Sequence, residues 1–271
     1  MENSRIAKDG LVLLGCGKMG SAMLEGWLSR GLPAASVWVQ DPYPSDWLKG
    51  TGVHLNVDLP SAPAIVLVAV KPQMMAEALP TLKKMGNGET LFVSVAAGTP
   101  ISFFEQTLGA QTPVVRAMPN TPAAISQGIT AIVGNAHAGS GGLDEAEVLL
   151  CAVGQVVRLT EEGQIDAVTG VSGSGPAYVF HMIETMAAAG VAQGLPEALA
   201  MQLAEATVAG AGALALQSEE TAAQLRVNVT SPNGTTQAAL EVLMDEKDGF
   251  PALLRRAVAV AADRSRELAR G

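Results

Sequence analysis

Four apolar residues, Leu11-Val12-Leu13-Leu14, stand between a polar stretch, Met1 to Gly10, and a glycine-rich segment. A run that short and that continuously apolar, ended by glycine, predicts a buried strand of a parallel sheet. From Ser21 to Arg30 the pattern changes to helical spacing: Met23, Leu24, Trp27 and Leu28 share one side, and Gly31 ends the segment. The alternation then repeats. Val37-Trp38-Val39, Ala64 to Val70, Leu91 to Val95, Val114-Val115-Arg116, Ile129 to Val133 and Val156 to Leu159 predict strands. Met74 to Lys84 and Leu143 to Val153 predict helices among them. Strands alternating with helices imply a parallel, doubly wound α/β sheet with right-handed crossovers.

After Ile165 the pattern turns wholly helical. Ala177 to Ala189, Pro196 to Gln217, Ser218 to Leu225, Thr235 to Met244 and Gly249 to Ala269 read as helices, with Pro196 and Pro251 in first turns that tolerate proline. The expected organisation is a Rossmann-type domain over 1–164 and an all-α domain over 165–271. The helices of the second domain are rich in Ala, Leu and Met on more than one face. A small helical domain with that much apolar surface buries it against a partner, so a homodimer built through this half is expected.

Composition narrows the class. The formal net charge is -9 and aromatics are 4%, with no basic stripe, which argues against nucleic acid as a partner. Two cysteines are too few for a disulfide scaffold, and the three histidines are far apart, so no metal site is expected. No uninterrupted apolar run reaches the roughly 20 residues of a membrane span, and the N-terminus lacks a signal-peptide core. The expected location is cytoplasmic.

The chemistry begins at Gly15-Cys16-Gly17-Lys18-Met19-Gly20, which follows a strand and opens a helix. In such a turn the first Gly permits the tight bend and the second lets the backbone approach a pyrophosphate. The third lets helix and strand pack closely, and the phosphates sit at the helix N-terminus. This predicts a nicotinamide dinucleotide site. Asp41 ends the second strand about 20 residues further on, where a carboxylate accepts a hydrogen bond from the adenosine ribose; a turn cap before Pro42 is the alternative role. Lys71 in Val70-Lys71-Pro72 lies at the carboxyl end of the sheet, where ligands bind, and Ala96-Ala97-Gly98 leaves room for the nicotinamide ribose.

Three glycine- and hydroxyl-rich segments complete the candidates: Met118 to Pro122, Ser172 to Pro176 and Val229 to Thr236. The third precedes a helix, so its free N–H groups form a site suited to a substrate carboxylate, although an ordinary helix cap has the same pattern. No lysine occurs between Lys84 and Lys247, and His181 stands alone on a mostly apolar helix. Reduction of a carbonyl calls for a general acid such as Lys or His beside the oxygen. A protonated imine accepts hydride without one, so the chain suits C=N reduction better.

At these residues the chain resembles the pyrroline-5-carboxylate reductases. The resemblance runs through Gly15 to Gly20, Val70-Lys71-Pro72-Gln73, Met118 to Pro122, Asp166 to Tyr178 and Val229 to Leu243, in order. It implies reduction of 1-pyrroline-5-carboxylate to L-proline with NADPH or NADH, and a helical domain that interlocks in a dimer able to assemble further. It carries substrate contacts to Glu162, Ser174, Gly175, Asn228, Ser231, Asn233, Gly234, Thr235 and Thr236. The Thr235 and Thr236 N–H groups would hold the carboxylate, and the Thr236 hydroxyl, the candidate catalytic group, would face the ring nitrogen. Cofactor contacts map to the glycine turn, Asn56, Val70, Lys71 and Ala97, and Asp41, Ala69, Pro72 and Asn120 join the cofactor candidates by position. Two departures stand out. The family's Pro-Gly-Gly reads Pro232-Asn233-Gly234, where Asn tolerates the left-handed conformation, and Asp41 would repel a 2′-phosphate, leaving the choice of cofactor open. The alternative is a β-hydroxyacid dehydrogenase of the same plan; Val179 occupies about the place of that family's lysine.

Overall fold

The computed structural model describes residues 4–269, so residues 1–3 of the polar N-terminal stretch and residues 270 and 271 lie outside the described part. The chain forms two compact units: Met1–Gly173 with Ala261–Gly271, and Ser174–Val260.

The first unit holds an eight-stranded sheet. Its strands are β1 (Leu11–Leu14), β2 (Val37–Gln40), β3 (His54–Leu55), β4 (Ile65–Val68), β5 (Leu91–Ser94), β6 (Val114–Met118), β7 (Gly128–Gly134) and β8 (Gly154–Arg158). Their order is β3-β2-β1-β4-β5-β6-β7-β8. The helices of this unit are α1 (Arg5–Asp9), α2 (Lys18–Ser29), α3 (Asp46–Lys49), α4 (Met75–Ala78), α5 (Ile101–Leu108), α6 (Gly139–Leu150) and α7 (Gln164–Val168).

Successive strand residues point to opposite faces, and the core divides accordingly. Leu11, Leu13, Ile65, Leu67, Leu91 and Val93 pack under Met23, Leu24 and Trp27 of α2 and Leu149 and Leu150 of α6. Val12, Leu14, Val66, Val68 and Phe92 pack under Met75, Leu79, Phe104 and Leu108. Apolar residues on both faces explain the unbroken runs: this sheet is covered on each side. Trp27 donates its indole N–H to the Leu149 carbonyl at 2.9 Å, which fixes α2 beside α6.

The short elements α1, α3, α7 and β3 were not expected from the sequence, and three further differences bear on the sheet and its cover. Met74 to Lys84 is only one turn of α-helix, α4, followed by a 3₁₀ stretch over Leu79–Met85. Pro80 lacks the N–H that would continue the ladder and crowds the preceding turn. The sheet is not wholly parallel: β7 runs antiparallel to β6, because a single 3₁₀ segment, Thr121–Ile125, joins them and is too short for a crossover. Helix α5 went unpredicted, although Ile101, Phe104 and Leu108 lie at helical spacing.

The second unit contains no strand among the described residues. It is built from α8 (Gly175–Ala192), α9 (Glu197–Gln217), α10 (Ala222–Asn228), α11 (Thr235–Leu243) and the start of α12 (Phe250–Ala269). The end of α12 belongs to the first unit, where the Ser265 hydroxyl donates to Asp166 at 2.6 Å. A π-helical turn, Thr169–Gly173, precedes α8. Among the described residues the second unit has one small buried cluster, Ala187, Ala200 and Ala204, while Leu199, Leu203, Leu214 and Leu216 of α9 are exposed. Helix α9 is 21 residues long with a mean hydropathy of 1.4, long and apolar enough by those measures to cross a membrane.

Candidate active site

The glycine turn has the geometry its three glycines predict. Gly15 has φ +89, and its N–H donates to the Gln40 carbonyl at 2.8 Å, pinning the turn to the end of β2. A Cβ on Gly20 would lie 2.5 Å from the Gly15 carbonyl oxygen, so only glycine lets α2 start this close to the strand. A Cβ on Gly17 would meet nothing within 4 Å. Gly17 is also the N-cap of α2, which no side chain caps. Open space beside an uncapped helix start is a cradle for a phosphate. The residues present therefore fit the pyrophosphate of a dinucleotide.

Asp41 braces this turn. One carboxylate oxygen accepts from the Cys16 N–H at 2.6 Å and the other from the Tyr43 N–H at 2.7 Å. Asn56, in a left-handed conformation at φ 51, pairs both ways with the Asp41 backbone: its Oδ1 accepts from Asp41 N–H at 2.9 Å, and its Nδ2 donates to the Asp41 carbonyl at 2.8 Å. The turn-cap role expected of Asp41 is present, and the same carboxylate also bonds the glycine loop. Burial and the Asp41 charge push the Cys16 thiol up to about 11, the Ser21 hydroxyl partly offsetting them. Cys16 is therefore a neutral thiol and no nucleophile.

The other cofactor candidates line the same edge of the sheet. Ala69 and Val70 follow β4 and touch the space above Gly15. Lys71 is exposed and starts the 3₁₀ turn Pro72–Met74, and Ala97 is exposed just beyond β5. Asn120 starts the turn after β6, and its side-chain oxygen accepts from Ile129 N–H at 2.9 Å.

Glu162 is also in the first unit, in a setting the sequence reading missed. Its Oε1 accepts from the Ile101 N–H at 2.9 Å and from Arg116 at 2.8 Å, so it caps α5 and neutralises an arginine within β6. The available signal was Arg116 itself, a charge inside an apolar strand run.

In the second unit the loop before α11 turns at Asn233, which has φ 58, the left-handed conformation expected of it. The Gly234 N–H donates to the Ser231 carbonyl at 3.0 Å, and a Cβ on Gly234 would lie 2.4 Å from the Ser231 hydroxyl oxygen. Gln237 reaches back to accept from Asn233 N–H at 2.8 Å. Gly234 is the N-cap of α11, and no side chain caps that helix. Thr235 and Thr236 occupy its first turn. Asn228 ends α10, with its side-chain amide held between Glu220 and Gln224. Ser174 and Gly175 start α8, and a Cβ on Gly175 would meet open space.

A Rossmann-type sheet with an open glycine cradle, followed by a helical unit with its own uncapped helix start at Gly234, has the plan of a two-part nicotinamide-dependent oxidoreductase. Comparison with known proteins makes this specific. Residues 162–268 match the family described as pyrroline-5-carboxylate reductase dimerisation, and residues 10–98 match the one described as NADP oxidoreductase coenzyme F420-dependent. The pyrroline-5-carboxylate reductase of Pseudomonas aeruginosa is 40% identical over 265 residues, 96% of each chain. A solved pyrroline-5-carboxylate reductase from Coxiella burnetii superposes with a TM-score of 0.90 at 32% identity, over 96% of this chain and 98% of that one. The Plasmodium falciparum pyrroline carboxylate reductase, solved with NADP bound, gives 0.84 at 27% identity over 99% of each. The chain belongs to the pyrroline-5-carboxylate reductase family.

Proposed function

We infer that the chain reduces the C=N bond of 1-pyrroline-5-carboxylate to give L-proline, the last step of proline biosynthesis, with NADPH or NADH as reductant. The observation that carries this reading is the uncapped α11 start behind Asn233 and Gly234, in a chain with no lysine between Lys84 and Lys247. The dinucleotide, when bound, supplies a hydride. Gly15, Gly17 and Gly20 admit its pyrophosphate to the start of α2, with Asp41, Asn56, Ala69, Val70, Lys71, Pro72, Ala97 and Asn120 around it. The Thr235 and Thr236 N–H groups bind the substrate carboxylate at the positive end of α11. The ring nitrogen enters protonated, so the iminium carbon takes up the hydride and the nitrogen keeps its proton as the amine lone pair forms. The Thr236 hydroxyl accepts a hydrogen bond from that N–H and orients the ring, with Asn228, Ser231, Ser174 and Gly175 completing the substrate set, while Glu162 acts indirectly by holding Arg116 and the start of α5.

The functional division is 1–164 for the dinucleotide and 165–271 for substrate and dimerisation. The working form is a cytoplasmic homodimer whose second copy covers the exposed leucines of α9, a reading supported by the dimerisation match over 162–268. The test is purified protein with 1-pyrroline-5-carboxylate and NADPH or NADH, followed at the nicotinamide absorbance. Substrate-dependent oxidation of either cofactor is expected, and oxidation of neither overturns the reading.

A further inference from the structure

Tyr43 is 88% exposed, an unusual position for a large aromatic ring in a chain that has two tyrosines. Pro42 and Pro44 flank it, and each fixes its own φ, so the backbone that presents the ring has little freedom left to lose. Its amide is held by Asp41, and the other oxygen of that carboxylate holds the amide of Cys16 in the glycine turn. One carboxylate therefore spans the pyrophosphate cradle and the base of Tyr43. Asn56 locks the Asp41 backbone from both sides, which makes this a braced platform rather than a loose loop.

In a sheet of this kind the dinucleotide crosses the carboxyl ends of the strands, and its adenosine half lies over the end of the second strand. Here that end is Gln40 and Asp41, and the next residues outward are Pro42 to Pro44. We propose that the Tyr43 ring is the stacking face for the adenine of the dinucleotide. A purine offers a flat π-face of matching size, and stacking needs no partner for its edge atoms, which suits a ring as exposed as that of Tyr43. The site takes the adenine of NADH and NADPH alike, because the ring recognises the base and Asp41 faces the ribose. The proposal rests on the dinucleotide reading of the glycine turn.

The experiment titrates NADH, NADPH and AMP into the full-length wild type, Tyr43→Ala and Tyr43→Phe by calorimetry. It also measures KM for 1-pyrroline-5-carboxylate and for reduced nicotinamide mononucleotide, which has no adenine. Tyr43→Ala is expected to weaken all three adenine ligands by about 5- to 100-fold, the range of a lost base–aromatic stack. Tyr43→Phe stays within about twofold of wild type, since the π-face survives. Both KM values should stay put in Tyr43→Ala. Unchanged adenine-ligand affinity in Tyr43→Ala overturns the proposal alone, as does an equal loss for the mononucleotide, which would mark a collapsed loop. An altered sedimentation coefficient with unchanged affinity would assign Tyr43 to contact between copies instead. Failure of the wild type to bind any dinucleotide would overturn both the proposal and the reading beneath it.

Discussion

Removing the Glu162 carboxylate should unsettle the first unit more than the chemistry. The Arg116 side chain is 6% exposed and its partner Glu162 32%, so Arg116 is the group that loses most when the pair is broken. Deleting one partner of a buried pair typically costs about 3–5 kcal/mol, because the other charge is left without compensation. Loss of the acceptor for Ile101 N–H adds roughly 1 kcal/mol, the ordinary effect of an uncapped helix start. Water can enter on the exposed side of Glu162, which reduces the sum, so Glu162→Ala is expected to cost about 2–4 kcal/mol. At about 2–4 °C per kcal/mol for a unit of this size, Tm falls by roughly 5–15 °C.

The assay is thermal unfolding followed by circular dichroism, at one fixed protein concentration because an oligomer's Tm depends on it. Kinetics are measured in parallel, well below the transition. Glu162→Gln keeps an oxygen for Ile101 and should lose about half as much. In the Glu162→Ala background, Arg116→Met should recover part of the loss, since no charge is then stranded. The reasoning is refuted if Glu162→Ala unfolds within about 2 °C of wild type while KM for the imine rises. That result would make Glu162 a substrate contact and not a brace.

Three further outcomes are expected. Asp41→Ser should shift the ratio of kcat/KM values towards NADPH by removing the negative charge just beyond β2, where the proposed adenosine ribose would lie, and it should loosen the glycine turn by freeing Cys16 N–H; an unmoved ratio would show that the carboxylate acts on the loop alone. Thr236→Ala should lower kcat by about tenfold, the worth of one hydrogen bond made at the reacting ring, while dinucleotide affinity holds; unchanged turnover removes Thr236 from the mechanism. The Cys16 thiol is raised from 9.0 to about 11, so the folded chain keeps its proton where the unfolded chain loses it. Stability is then unaffected by this group below pH 9.0 and falls between pH 9.0 and about 11, a decline that Cys16→Ala should flatten in denaturant titrations.

The parts of this fold that were legible in the sequence are those set by short-range pattern. β1 could be read because an apolar run ended at glycine, and α11 because a hydroxyl-rich loop preceded a periodic segment. The glycine turn could be read because three backbone requirements fall within six residues. What stayed hidden depends on partners distant in the chain. Glu162 caps a helix that starts 61 positions earlier in the chain, and nothing local in either segment announces the pairing. Asp41 was legible as a residue at the end of β2, yet its bond to Cys16 appears only once β1 and β2 lie side by side. The antiparallel β7 was misread because strand direction is set by the connection, and a five-residue 3₁₀ link leaves the same apolar run as a crossover would.

The two proposed ligand sites share one physical solution. A chain of net charge -9 has to hold an anionic pyrophosphate and an anionic carboxylate with few cations to hand. Helices α1, α3 and α10 are capped by Ser4, Ser45 and Thr221, whose oxygens accept from their own first-turn amides. Helices α2 and α11 start instead from extended glycines, Gly17 and Gly234, with no side-chain cap. In the proposed sites their first-turn N–H groups meet the ligand, and the positive helix end does the work of a cation. This separates binding from stability at Gly17. Gly17→Asp would let α2 cap itself, and because a Cβ there meets nothing within 4 Å, Tm should stay within about 2 °C or rise. The carboxylate would take the amides and repel the pyrophosphate, so dinucleotide affinity should fall at least tenfold. Gly20→Ala should do the opposite first: its Cβ meets the Gly15 carbonyl oxygen at 2.5 Å, so unfolding moves to lower temperature before binding is tested. A Gly17→Asp variant that binds NADPH and NADH as wild type does would show that the α2 start is not where the phosphates rest.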